Sequence, residues 1–138
     1  MSLIDSLNSI LDDLENEIKS VLSKYTVMRF MREPSRLDHY PICMVVPTET
    51  IPLYTSLPET IEEGDFIIHL YLVMRTPFDY KGSSLLKDLD ILITELYSLR
   101  HDTTKWRELN YLDGIRYSYD PIEDGMLQGA EIILHIRK

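Results

Sequence analysis

Residues 66–75, Phe66-Ile67-Ile68-His69-Leu70-Tyr71-Leu72-Val73-Met74-Arg75, decide the fold. Alternation along an extended chain puts Phe66, Ile68, Leu70, Leu72 and Met74 on one side and Ile67, His69, Tyr71, Val73 and Arg75 on the other. Aromatic and β-branched side chains at this density predict a strand rather than a helix. Both sides carry apolar groups, so helices are expected to cover one and the other is expected to be at least partly covered. An assembled neighbour is a candidate for that second cover.

Two segments have the pattern such helices need. Leu3, Leu7, Ile10, Leu11, Leu14, Ile18, Val21 and Leu22 recur at steps of three and four residues, with carboxylates and lysines between them. Ser2 and Asp5 predict an N-cap and an acidic first turn, and the helix is expected to reach about Ser23. Leu85, Leu89, Leu92, Ile93 and Leu96 form a second stripe that ends near Arg100.

Four further strands are predicted. Tyr25 to Met31 alternates until Glu33-Pro34-Ser35 ends it, and Ile42 to Val46 lies between Pro41 and Pro47. Ile115 to Tyr119 and Met126 to Ile136 alternate on either side of Asp124-Gly125, which predicts a C-terminal hairpin. In its second arm Met126, Gln128, Ala130, Ile132, Leu134 and Ile136 are expected to face the core. Three prolines and Glu62-Glu63 make the stretch from Pro47 to Gly64 a long excursion, with an edge hairpin as an alternative within it. Residues 101–110 are polar and irregular apart from Trp106.

The resulting order, α-β-β-β-α-β-β, predicts an α+β domain: a mostly antiparallel sheet of about five strands with two helices packed on one face. A length of 138 residues, 44% of them hydrophobic and 27% charged, suits a single domain over 1–138 that folds around one core. The formal charge of −9 disfavours non-specific affinity for nucleic acid or anionic lipid. Asp5, Asp12, Asp13, Glu15 and Glu17 interrupt any secretory h-region, and no apolar run approaches the ~20 residues of a membrane span. Cys43, the one cysteine, sits in an apolar run and is expected to be buried and unreactive.

Few residues combine into chemistry. His39, His69, His101 and His135 lack metal-ligand spacing, although His69 and His135 would become neighbours if their strands paired. His101-Asp102 has the residue types of an oriented base but no nucleophile beside it. No nucleophile elbow, P-loop or dinucleotide fingerprint is present. Asp12-Asp13, Glu62-Glu63, Asp88 with Asp90, and Glu123-Asp124 are expected to be solvated charge on helix faces and turns rather than cation ligands. Tyr111, Tyr117 and Tyr119, with Arg116 between the first two, fit a half-buried sheet face or an interface better than a base-stacking platform in so acidic a chain. No catalytic residue, cofactor or metal is assigned, and the chain is expected not to be an enzyme.

Taken together, the helix from Leu3 to Leu22, the strand from Phe66 to Met74 feeding the helix from Leu85 to Leu99, and the closing strand from Gln128 to Ile136 resemble the plan of the tail terminator or tail completion (head-tail joining) proteins of long-tailed bacteriophages. The resemblance covers nearly the whole chain and lies in element order, with no shared motif. It implies a homo-oligomeric ring, commonly a hexamer, that caps the tail tube and meets the neck or head connector. It also implies that DNA passes through the lumen without specific binding and that the protein resides in the virion after assembly in the host cytoplasm. Acidic residues lining the lumen would let DNA slide without sticking. Ring contacts join different surfaces of successive subunits. Ile51, Pro52, Leu53, Tyr54 and Leu57 in the excursion, with Phe78 and Tyr80 after the long strand, are the candidate contacts because they place apolar groups on polar connections. Alternatives are another head-tail connector or injection-machine ring subunit, a small non-catalytic domain that binds a ligand or peptide, and a small enzyme whose pocket gathers the residues set aside above.

These assignments separate core from contact. Leu92→Asp is expected to abolish cooperative unfolding by placing an unpaired charge in the core. Tyr54→Asp is expected to leave the melting curve intact and impair assembly, so equal loss of folding in both variants would contradict the division.

Overall fold

In the computed structural model, which describes residues 2–29, 40–53, 63–76, 84–98, 108–122 and 125–137, the chain runs through helix α1 (Leu3–Val21), strands β1 (Thr26–Met28), β2 (Ile42–Leu53) and β3 (Glu63–Thr76), helix α2 (Ser84–Ser98), and strands β4 (Glu108–Ile122) and β5 (Gly125–Arg137). The strands form one sheet in the spatial order β1-β2-β3-β5-β4. β1 is parallel to β2, and all other neighbours are antiparallel. The expected α+β class and element order are those of the structure.

α1 starts where the sequence caps it. The Asp5 N–H donates to Ser2 Oγ and the Ser2 N–H donates to Asp5 Oδ2, both at 3.1 Å, so two otherwise orphaned donors are satisfied reciprocally. Its apolar stripe, centred on Ile10, Leu14 and Ile18, meets that of α2, centred on Leu85, Leu89, Leu92 and Leu96. Both rest on one face of the sheet, against Cys43 and Val45 of β2, Phe66, Ile68, Leu70 and Leu72 of β3, and Ala130, Ile132, Leu134 and Ile136 of β5. Each fully buried aliphatic or aromatic side chain here contributes about 1.5–3 kcal/mol relative to exposure.

The other face carries a smaller cluster at one end. Ile42, Met44, Val73 and Leu127 are buried there, with Met28, Tyr40, Val46 and Tyr71 packed around them. The partial cover expected for the second side of the long strand is therefore supplied within the chain at this end.

One polar bond joins the two helical segments. The Tyr25 hydroxyl, just beyond α1, donates to Asp88 Oδ2 of α2 at 2.7 Å, and Lys24 Nζ lies 3.3 Å from the same oxygen. Asp88 is only 5% exposed. This corrects the expectation that Asp88 and Asp90 are both solvated: Asp90 is exposed, whereas Asp88 sits on the turn that α2 presents to Tyr25.

Two strands, β2 and β4, exceed their predicted extent by more than five residues. β2 continues through Pro47 to Leu53, paired with β3 as far as Leu53↔Glu63, so both ends of the expected excursion belong to a hairpin. β1 flanks β2 only at 42–44, which leaves 47–53 on an edge where a proline can omit its N–H without breaking a ladder. The register shifts between Pro47 and Glu49, and the Thr48 hydroxyl donates to the Ile67 carbonyl there at 3.3 Å. β4 begins at Glu108, seven residues before the expected strand at Ile115. Its register shifts twice, between Leu109 and Tyr111 and between Leu112 and Ile115, and Gly114 takes φ +118°, a conformation other residues rarely adopt. β1 spans only Thr26–Met28; of the rest of its predicted extent, Tyr25 and Arg29 are not part of the strand, and Phe30 and Met31 lie outside the described residues.

Tyr25→Phe leaves the buried Asp88 carboxylate without its hydroxyl donor. Urea unfolding is expected to show a loss of about 1–3 kcal/mol with the fold retained, and an unchanged midpoint would remove this bond from the account of how the helices are joined.

Candidate functional site

The helix-free side of the sheet is built by alternation. It presents Val46, Glu49 and Ile51 from β2, Ile67, His69, Tyr71 and Arg75 from β3, and Glu131, Ile133, His135 and Arg137 from β5. Ile67, Ile133 and Val46 are half-buried, and no described helix lies over them. Polar side chains stitch the same surface: Arg137 clamps Asp65 through Nε at 2.8 Å and a second nitrogen at 3.2 Å, across a directly paired position. His69 Nδ1 lies 3.0 Å from Glu131 Oε1, and the Tyr71 hydroxyl lies 3.4 Å from that nitrogen. Burial, followed by the Glu131 charge, raises the Tyr71 hydroxyl above its ordinary pKa.

β3 and β5 do pair, the condition for His69 and His135 to approach. His69 stands opposite Ile133 and His135 opposite Ile67, so the two are diagonal neighbours on one face. Glu131 is the partner His69 meets, a contact that needs the β3–β5 register and has no signature in sequence spacing. Among the described residues no group of three or more His, Cys, Asp or Glu side chains is placed to hold a metal ion. His39 and His101-Asp102 lie outside the described residues, as do Glu62 and Glu123-Asp124. Asp12 and Glu15 both engage Arg29, and Glu15 also takes Lys19 at 2.8 Å. The Lys19 hydrogen bond, followed by Arg29, holds the Glu15 carboxyl below the usual range.

The predicted contact residues divide. Ile51 and Pro52 lie on β2 opposite Asp65 and Gly64, with Ile51 44% exposed and Pro52 half-buried. Leu53 pairs with Glu63 through its backbone, while its side chain, and all of Tyr54, Leu57, Phe78 and Tyr80, lie outside what is described. Tyr117 and Tyr119 are 47% and 56% exposed on the helix side of β4. Arg116 points to the opposite side of the sheet from Tyr117 and Tyr119. Tyr111 lies opposite His135, and its side chain is outside the described set. Sequence reasoning placed these tyrosines near one strand but missed that β4 is an outer strand along all of its fifteen residues.

What this arrangement offers is recognition: a long backbone edge, an exposed hairpin arm and a half-apolar sheet face. No described helix is long and apolar enough to cross a membrane. Comparison with known proteins adds no relative, since no family model and no curated protein matches the chain.

Cys43 is fully buried on β2, where burial pushes its thiol from an ordinary 9.0 up to about 12. Tyr25 is raised too, by burial first and Asp88 second. Both groups stay protonated in the fold at a pH where the unfolded chain has released its protons, so stability is complete below pH 9 and is lost as pH rises towards about 12. Urea midpoints are expected to fall from pH 9 upward. Cys43→Ala is expected to be less stable at neutral pH, through lost packing, yet to show a flatter fall between pH 9 and 10, before Tyr25 contributes. An unaltered slope in that variant would exclude the thiol as the cause.

Proposed function

We propose that the chain is a structural subunit of a long-tailed phage virion, one member of an oligomeric ring that closes the tail tube and joins it to the neck while DNA passes through the centre. The observation that carries this reading is that the described helices cover one face of the sheet, while the other is buried only at the end around Ile42, Met44, Val73 and Leu127. Two helices consume the apolar side chains of one face, and the other face retains Ile67, Ile133 and Val46 half-buried, with Ile51 exposed on the adjoining arm. Apolar groups left in such positions are suited to subunit contacts. The element order is the second support, because it follows the plan of tail terminator and completion proteins.

A polar ring needs two unlike surfaces on each subunit. This sheet has unlike borders, a three-residue β1 at one side and a fifteen-residue β4 at the other. The charge of −9 per chain suits a lumen through which a polyanion slides. No side chain is asked to perform chemistry in this role, and no cofactor or metal enters it.

Negative-stain imaging of the concentrated protein, together with its native mass, tests the reading. Closed rings of a fixed subunit number are expected, and Ile51→Asp is expected to deplete them while changing stability by no more than about 0.5 kcal/mol, as for other exposed positions. A protein that never exceeds a dimer and retains a small molecule or peptide overturns the ring in favour of a ligand-binding domain.

A further inference from the structure

β4 has β5 on one side and no other described strand on its outer side. From Gly114 to Pro121 every residue except Ile115 is exposed. Ile122 pairs with Gly125 across a two-residue connection, and connections this tight close on a pair that exchanges both backbone hydrogen bonds. Ile122, Asp120, Ser118 and Arg116 therefore direct their backbone groups towards β5, while Pro121, Tyr119, Tyr117 and Ile115 direct theirs outwards. Pro121 fits this phase because it has no N–H to give and prolines in sheets sit where the missing donor faces away from a neighbour.

The outward edge is its own complement. When Arg116-Tyr117-Ser118-Tyr119-Asp120 is laid antiparallel on a second copy about Ser118, Arg116 stands opposite the partner's Asp120, Tyr117 opposite the partner's Tyr119, and Ser118 opposite itself. Direct opposites share a face, so the two charge pairs fall on the helix-free side and the tyrosine pairs on the helix side. The same register brings together the groups that point outwards: Tyr117 and the partner's Tyr119 exchange both backbone hydrogen bonds, and the equivalent pair does so across the dyad. The donor that Pro121 lacks falls at the end of the ladder. A slip of one residue opposes outward groups to inward ones, and a slip of two sets Arg116 against Ser118 or Ile122, so a single register keeps both the ladder and the charge pairs.

We infer that the free chain dimerises through β4 with a second copy of itself, about a two-fold axis at Ser118, joining two five-stranded sheets into one of ten strands. The occupant is assigned by charge complementarity and by the phase of the ladder. An edge with no described neighbour is a template for aggregation, and the dimer covers it from Gly114 to Ile122. A two-fold axis makes a closed pair and not a ring, so this state belongs to the unassembled subunit and does not depend on the ring contacts proposed above.

Sedimentation velocity of the full chain over a concentration series below the onset of ring assembly tests the inference, and a reversible monomer–dimer equilibrium is expected. Arg116→Asp and Asp120→Arg each create two like-charge pairs across the dyad and should raise the dimer Kd on the order of tenfold, whereas R116D/D120R together should recover most of the loss. Tyr119→Pro removes an outward N–H that β5 does not use, so it should abolish the dimer with the circular dichroism unchanged. Ser118→Cys should cross-link on mild oxidation, because Cα atoms of a non-hydrogen-bonded pair lie about 4.5 Å apart. Asp120→Cys, which has no copy of itself opposite, should cross-link far less, and buried Cys43 does not compete. A wild-type chain that stays monomeric at every concentration, or a dimer indifferent to single charge reversal, overturns the inference. Ring formation is read separately, by imaging at the higher concentrations where rings assemble.

Discussion

The register of β3 against β5 is the constraint on which the rest of the structure depends. Twelve consecutive positions pair, from Asp65↔Arg137 to Thr76↔Met126, without a bulge. Because side chains alternate, that register decides together that Phe66, Ile68, Leu70 and Leu72 share a face with Ala130, Ile132, Leu134 and Ile136, and that the helices land there. A one-residue slip would turn a buried isoleucine and leucine row towards solvent on one strand only. Asp65 and Arg137, directly opposed at the last pair, reinforce the correct alignment with a forked ion pair.

Around this pair the sheet becomes progressively less regular. β2 and β4 flank it, and both carry register shifts, whereas β3 pairs with β5 without one. Irregularity is tolerated there because a flanking strand can bend without dislodging the core. The corner formed by the end of α1, Tyr25 and the first turns of α2 is held instead by a buried hydroxyl–carboxylate bond with a lysine beside it. A hydroxyl donor to a buried carboxylate is stronger than an ordinary side-chain bond, and it fixes how the two helices lie relative to each other.

The sequence was most informative where periodicity and burial coincide. Both helices, the N-cap at Ser2 with its acidic first turn, the face division of β3 and the closing hairpin could all be read from the residue pattern, since apolar stripes of a given period admit few local structures. β2 beyond Pro47 and β4 before Ile115 could not. Prolines, threonines and carboxylates obscure an edge strand, because such a strand needs only half of its backbone paired and can accept residues that an interior strand rejects. Asp88 was misread for a related reason: its neighbours Lys87 and Asp90 mark a polar helix face, and only the approach of Tyr25 from 63 positions away makes the carboxylate a buried acceptor. The helix-free surface was legible as an alternation, but its partners, such as Glu131 for His69, depend on which strands become neighbours.

β5 follows every other described element in the chain, yet it lies between β3 and β4. During synthesis the earlier elements leave the ribosome first, with α1, α2, β2 and β3 able to associate while the slot beside β3 is still empty. Until residues 125–137 arrive, β3 presents an unpaired border of alternating isoleucine, leucine and phenylalanine, open to any extended segment that reaches it. β4 and β5 can zip locally across their two-residue connection, but completing the sheet waits on the long-range docking of β5 against β3.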